Sequence, residues 1–456
     1  MKTIFKYMIL LVAVGSITSC KKFLDREPLS QVTPENFFEN EQNAQAAVFG
    51  MYRTMLSSFS YGQSMVIIPE FSAKHTSHVS NFPEYVEFKE NRIRVDNPWV
   101  LNIWNGTYST INAANNVITR ITEMPAAAIS EEKRLQLVRE GKFVRALSYF
   151  NLVRAYGDVP LVITPTAEDE ELKVPRNSKA EVYALIIADL TEASLLPNGY
   201  ASSAETKGRA TNLAARALLS KVQLYNAKVT NSYTEAATLS KQVISEGGFS
   251  LPGEFSSIWA DENTTESIFE LQFEEQATNP LAATSNPGSS TLFIANGVNI
   301  GELYTATDTR RSYTTYLNTT IAGRYMIGKY RQFSPAIQNF PVIRLAEVLL
   351  INAEAQARVD GSVSAAAYNS YKTVRDRAGL TTPAASTFTS VANFITAVQL
   401  EKRRELMFEG ETWFDFCRTD LALTELMTVK DKNFYLYPIP DAERRFNPSL
   451  TQNPGY

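Results

Sequence analysis

EEKRLQLVREGKFVRALSYFNLVRAYGDVP, residues 131–160, is the stretch that decides the class of fold. Apolar side chains recur at Leu135, Val138, Phe143, Leu147, Phe150 and Val153, mostly three or four residues apart. That spacing puts them on one stripe of a helix. Gly157 and Pro160 then stop it. The same character returns over Ala210–Ala227, Tyr233–Ser245, Leu345–Arg358 and Ser364–Arg377. Further helices are expected at Glu41–Ser57, Val100–Ile121, Lys179–Ala193 and Val391–Met407. Ala217-Leu218-Leu219 with Leu224 can be laid over Val348-Leu349-Leu350 with Ala355, and each segment leads through a short turn into a second amphipathic helix. Small residues at helical spacing let two helices approach closely, as in stacked helix hairpins. The interval between pairs is not fixed, so the expectation is a mainly α fold of about four divergent hairpins, not a regular array.

Between the helices lie Val66–Asn97, Pro160–Ser178, Phe249–Tyr330 and Thr381–Thr389, weakly periodic and rich in Thr, Ser, Asn, Pro and Gly. Within them Glu266–Phe273 alternates like a strand. Long irregular insertions on a helical scaffold are the usual place for ligand contacts.

The N-terminus has the parts of a secretory signal: Lys2 and Lys6, an apolar run from Tyr7 to Val14, then small residues up to Cys20. Ile17-Thr18-Ser19-Cys20 is similar to the bacterial lipobox, which makes residues 1–19 a signal peptide and Cys20 the lipidation site. The apolar run is too short to span a bilayer, and no later segment is longer. Two or more acyl chains hold a protein stably at a membrane. The expected organisation is a tether over 20–38 and a single body over 39–456, with insertions near 66–97 and 249–330. Loss of Lys2 and Lys6 with the signal moves net charge from 44 − 48 = −4 to 42 − 48 = −6. A mildly acidic body without a Lys/Arg run argues against nucleic acid. With Cys20 lipidated only Cys417 remains, so no intramolecular disulfide can form.

Frames for catalysis are missing. There is no GxSxG elbow, no GxxxxGK[ST] loop and no GxGxxG. His75 and His78 are the only histidines, with no nearby cysteine and no HExxH frame, and read as polar residues of a surface loop, not as metal ligands. Cys417, between Phe416 and Arg418, reads as buried beside Phe414 and Phe416. Glu401, Glu405, Glu409, Glu411 and Asp415 cluster with Lys402, Arg403, Arg404 and Arg418, and ion pairing with adjacent bases accounts for them. No catalytic residue, cofactor or metal is therefore expected. The aromatics say more: 21 Tyr, 25 Phe and 4 Trp leave many rings outside the helical stripes. Flat rings stack on the apolar faces of sugars. Among loop-borne Phe82, Tyr85, Phe88, Trp99, Phe293, Tyr304, Tyr313 and Tyr316, the candidates for ligand stacking are Phe82, Tyr85, Trp99, Phe293 and Tyr304.

A run of short segments, in order and nearly end to end, resembles the SusD/RagB-like outer-membrane nutrient-binding lipoproteins of Bacteroidetes. They are Phe23-Leu24-Asp25, Trp104 with Ile111 and Asn115-Asn116, Arg145–Phe150 into Tyr156–Leu161, Ala214–Leu219, Glu266–Phe269 and Arg344–Val348. Arg375–Leu380, Glu401–Leu406, Phe408-Glu409-Gly410, Trp413-Phe414-Asp415, Tyr437–Pro440 and Gln452–Tyr456 complete the series. The resemblance implies four helix hairpins similar to tetratricopeptide repeats in a right-handed superhelical scaffold, with loop-rich insertions and a few short strands. It also implies a non-enzymatic protein, lipid-anchored at the outer membrane and facing the cell exterior. Such a protein captures glycans and delivers them to a SusC-like TonB-dependent transporter. A transporter lid with little ligand affinity of its own, or a binder of peptides or other nutrients, are the alternatives. The matching segments are mostly scaffold, so the resemblance assigns no sugar-contacting residue.

Overall fold

The computed structural model describes residues 37–80, 82–166, 173–288, 291–301, 303–319 and 323–456. The signal peptide, Cys20 and nearly all of the tether lie outside the described residues.

The principal helices in chain order are α1 (Glu41–Thr54), α2 (Ser64–Ser72), α3 (Pro83–Lys89), α4 (Pro98–Glu123), α5 (Glu131–Tyr156) and α6 (Lys179–Ala193). They continue with α7 (Asn212–Thr230), α8 (Thr234–Glu246), α9 (Leu345–Asp360), α10 (Ala365–Arg377), α11 (Val391–Glu405) and α12 (Thr412–Thr419). Each long helix falls where the apolar stripe predicts it. Caps set the ends. Ser130 accepts from the Lys133 amide, Ser178 and Glu181 form a reciprocal capping box, and Ser390 accepts from the Asn393 amide. Such a cap is worth about 1 kcal/mol.

Neighbouring helices pack in sequence: α4 on α5, α5 on α6, α6 on α7, α7 on α8, α8 on α9, and α9 on both α10 and α11. Small residues make the close approaches. A Cβ on Gly141 of α5 would fall 2.8 Å from Ile118 Cγ1 of α4. Ala214, Ala215 and Ala217 of α7, and Ala346, Ala353 and Ala355 of α9, are all buried. The molecule is mainly helical, as expected.

Six short strands form three antiparallel pairs. β1 (Thr76–His78) pairs with β3 (Phe293–Ala295), β2 (Ser267–Leu271) with β6 (Phe340–Arg344), and β4 (Thr315–Asn318) with β5 (Arg324–Ile327). The alternation at 266–273 does mark a strand, but all five residues of β2 are buried, so both of its faces are covered.

Residues 66–97 differ from the irregular insertion expected of them. They hold α3 and most of α2, whose nine residues are all buried. Nine residues buried on every side, with Pro69 and Glu70 among them, show no clear stripe, so periodicity does not reveal the helix. His75, expected on a surface loop, is fully buried: the turn after α2 folds it back so that Nδ1 lies 2.6 Å from Glu70 Oε2. Cys417 is half-buried, its Sγ 3.6 Å from the Tyr435 carbonyl.

Candidate functional site

The insertions bring most of the loop-borne aromatics to one face. Ribbon β1–β3 lies beside ribbon β4–β5 through β3 and β5, and α3 packs on β1. The first ribbon, with α2, α3 and the start of α4, gathers Phe71, His78, Phe82, Tyr85, Trp99 and Phe293. The second carries Tyr316, Leu317 and Tyr325.

Four of the five candidate stacking residues meet in the first cluster. Phe71 and Tyr85 are parallel at 5.0 Å and 7°, and Trp99 stacks on the other side of Tyr85 at 5.3 Å and 26°. Phe293 meets Tyr85 edge-on at 5.5 Å, and Phe82 does so at 5.8 Å. Tyr85 is therefore sandwiched and 2% exposed, and Phe293 beneath it is fully buried. Neither ring offers a face to a ligand. Their part is to support Trp99 and Phe82, which are half-buried at the rim. Tyr304 lies apart, 4% exposed, donating its hydroxyl to the Arg404 carbonyl at 2.7 Å. It is a core tyrosine, and burial pushes its phenol up.

Local chemistry fixes Trp99. Asn97 caps α4 by accepting from the Trp99 amide at 2.9 Å, and Pro98 opens the helix. The Asn97 amide nitrogen donates to the Glu84 carbonyl at 3.0 Å and to Glu87 Oε2 at 2.7 Å. One side chain thus ties α3 to the start of α4 and sets the distance between Tyr85 and Trp99.

On the second ribbon the Arg331 guanidinium covers Tyr313 at 4.4 Å and Tyr316 at 4.6 Å. Its Nε donates to the Gly328 carbonyl at 2.9 Å and Nη2 to the Ser312 carbonyl at 3.1 Å, which holds it flat. Leu317 and Tyr325 project outward, 52% and 43% exposed. Tyr325 lies on Gly297, where a Cβ would stand 2.3 Å from the ring. Only glycine permits that seat.

Beneath this face is a buried ion-pair cluster. Arg310 pairs with Asp308 at 2.8 Å, Glu401 at 2.6 Å and Glu405 at 2.8 Å. Arg344 pairs with Glu266, Glu405 and Glu409 at 2.6–2.7 Å, and Lys329 with Glu409 at 2.5 Å. Arg377 reaches Glu266 and Glu405, and Arg375 reaches Glu401. Burial alone would raise the Glu405 carboxyl; Arg377, Arg344 and Arg310 outweigh it and hold the group well below the usual range. Burial brings the Lys329 ammonium down to about 8 against the pull of Glu409. The carboxylates at 401–409 thus pair chiefly with distant bases, whereas adjacent ones were expected. Local pairing holds better for Asp415, which has Lys402 at 2.7 Å and Arg418 at 3.2 Å. The cluster pins the segments bearing Arg310 and Lys329 to α9 and α11, and so fixes the floor of the face.

Among the described residues no group of three or more His, Cys, Asp or Glu is placed to hold a metal ion, and no helix is long and apolar enough to cross a membrane.

Residues 290–430, which include β3 to β6 and α9 to α11, match the family model described as the SusD family. Residues 22–224 match that described as "Starch-binding associating with outer membrane". This chain belongs to the SusD-like family. SusD-like protein P25 of Formosa agariphila is 23% identical over 97% of this chain and 98% of its own length. A SusD superfamily protein of Parabacteroides distasonis has a TM-score of 0.80 at 25% identity, covering 93% of this chain and all of that one. A laminarin-binding SusD-like protein has a TM-score of 0.79 at 26% identity, covering 92% of this chain and 100% of its own. The second family description associates these proteins with the outer membrane.

In this SusD-like chain, sequence reasoning named the rings that meet around Tyr85 and passed over Leu317, Tyr325 and Arg331. A signal was present: Thr315–Asn318 and Arg324–Ile327 are two short strand-like runs, rich in Tyr, Ile and Thr, with Gly323 in the link between them.

Proposed function

We propose that this protein is a non-catalytic glycan-capture lipoprotein. Anchored through Cys20 on the outside of the outer membrane, it binds oligosaccharides or polysaccharides on the insertion face. It then passes them to a SusC-like TonB-dependent transporter. The observation that carries the reading is the stack Phe71–Tyr85–Trp99, in which buried rings hold Trp99 ready with one face committed and the other toward the rim. A flat apolar ring held in this way suits the apolar face of a sugar. The likeness to a laminarin-binding SusD-like protein supports the ligand class.

The test is calorimetry of the soluble body, residues 21–456, with laminarin and a panel of neutral polysaccharides. Saturable binding without hydrolysis is expected. Trp99→Ala or Phe82→Ala should each weaken it by about 1–3 kcal/mol. Unchanged affinity in both variants, or no binding at all, would remove glycan capture on this face and leave the transporter-lid reading, which co-purification with the transporter would examine.

A further inference from the structure

A second cleft opens between α4, the segment after Pro160 and the C-terminal residues 443–450. Its volume is about 610 Å³, within the range of small-ligand sites, and it shares no lining residue with the insertion face. Trp99 and Asn105, six residues apart on α4, are turned about 240° from one another, so one helix serves both places on different sides.

Three features mark the cleft. Phe446 stands at it with 81% of its surface exposed, more than any other phenylalanine among the described residues. Tyr108 lines the wall, its ring fixed by donation from the hydroxyl to the Pro160 carbonyl at 2.9 Å. The half-buried Glu443 side chain has neither hydrogen bond nor ion pair among the described residues, and burial pushes its carboxyl up. Asn105, exposed on α4, likewise has a free amide. A partly dry acceptor left unpaired costs free energy that a bound donor would recover. An exposed aromatic ring beside an unpaired carboxylate and a free amide suits a ligand with an apolar face and hydroxyl donors.

We propose that this cleft is a second carbohydrate subsite, in which Phe446 stacks on a sugar ring while Glu443 and Asn105 bond its hydroxyl groups. The ligand class rests on the glycan reading above; the place and the residues do not. Two separate sites on one chain would hold a long polysaccharide more tightly than a short oligosaccharide that reaches only one of them.

The experiment is native gel electrophoresis of residues 21–456 through laminarin, amylopectin, xyloglucan and galactomannan. It compares the parent chain with Phe446→Ala, Glu443→Ala, Trp99→Ala and the Trp99→Ala/Phe446→Ala pair, after melting curves show that each is folded. The proposal expects Phe446→Ala and Glu443→Ala each to weaken retardation at least about threefold in one polysaccharide, and the pair to weaken it further than Trp99→Ala alone. Retardation lost in Trp99→Ala but unchanged in both cleft variants overturns the second subsite and keeps the insertion face. Loss in the cleft variants with none in Trp99→Ala keeps the cleft and overturns the insertion face. Silence across all four polysaccharides overturns both.

Discussion

Replacing Arg344 with methionine keeps most of the side-chain volume and removes one positive charge from a place that water does not reach. The guanidinium donates to Glu409 Oε2 at 2.8 Å and Oε1 at 2.7 Å, to Glu266 Oε1 at 2.7 Å, and to Glu405 Oε1 at 2.6 Å and its carbonyl at 2.7 Å. Around it five acids (Glu266, Asp308, Glu401, Glu405, Glu409) face six bases (Arg310, Lys329, Arg344, Arg375, Arg377 and the half-buried Arg404, 3.7 Å from Glu401), and the variant takes away a base that three of the acids share. Removing one partner of a buried pair costs about 3–5 kcal/mol. Each carboxylate here keeps another cation, Arg377 for Glu266, Arg310 for Glu405 and Lys329 for Glu409, which favours the lower part of that range. At about 2.1 cal/mol/K per residue over roughly 420 residues, a loss of about 3–4 kcal/mol lowers Tm by about 4 °C. Arg344 is one of three guanidiniums that hold the Glu405 carboxyl well below its usual range, and a depressed acid loses its stabilising contribution as pH falls through the folded-state pKa. The gap between parent and variant is therefore full at pH 7 and smaller at pH 3.5, below the ordinary carboxylate range. Differential scanning calorimetry at both pH values measures it. Arg344→Met/Glu409→Gln, which also removes an acid that Arg344 had paired, should recover part of the loss. A Tm within 1 °C of the parent, or a double variant whose losses simply add, would refute the reasoning.

Asp415 gives a second pH test. Burial alone would raise its carboxyl, but Lys402 and Arg418 bring it down to about 2 from an ordinary value of 3.8. A depressed acid stabilises the fold above its unfolded pKa and loses that contribution as pH falls through the folded one. That contribution is about 2 kcal/mol. Urea unfolding should show Asp415→Asn less stable than the parent at pH 6, with the difference shrinking between pH 4 and pH 2.5; a constant difference would show that charge is not its origin. Gly297→Ala forces the Tyr325 ring from its seat, so glycan affinity should fall at least about twofold while Tm stays within 1 °C; equal affinity would remove Tyr325 from the binding face. Asn97→Ala removes the α4 cap and the tie to α3, costing about 1–2 kcal/mol by urea denaturation. Affinity should fall with it, and loss of stability alone would show that Trp99 keeps its place without Asn97.

The long helices were legible because apolar residues recur along them at steps of three and four, even in α5, where every residue from Phe143 to Tyr156 is buried. α2 was not, because nine residues with Pro69 among them are too few to show a period, and all of them are buried. The ion-pair cluster escaped for a different reason. Arg310, Lys329 and Arg344 are 61 or more residues from the Glu405 they surround, counted from Arg344, and nothing local links them. The aromatic candidates show the limit of reading rings from composition. Phe82, Tyr85, Trp99 and Phe293 do converge, but which ring faces out depends on the order of stacking, and that order is set by Asn97 and by β1 pairing with β3. Tyr304 has the same surroundings in sequence and ends in the core.

The division between buried and half-buried rings fits the proposed role in glycan capture and hand-over. A ligand that is to be handed on cannot be held by a deep pocket with a slow off-rate. Trp99, with one face already on Tyr85, can offer its other face, and Phe82 meets His78 and Tyr85 edge-on. Each contact is limited in area, so affinity must be gathered from several rings spread across the two ribbons. What makes such shallow contacts worth forming is that their geometry is already fixed, by the stack on one ribbon and by Arg331 held flat against Tyr313 and Tyr316 on the other. Little side-chain freedom then remains to be lost when ligand arrives. A rigid, shallow, extended face is what the proposed hand-over requires, and the cluster around Arg344 supplies that rigidity.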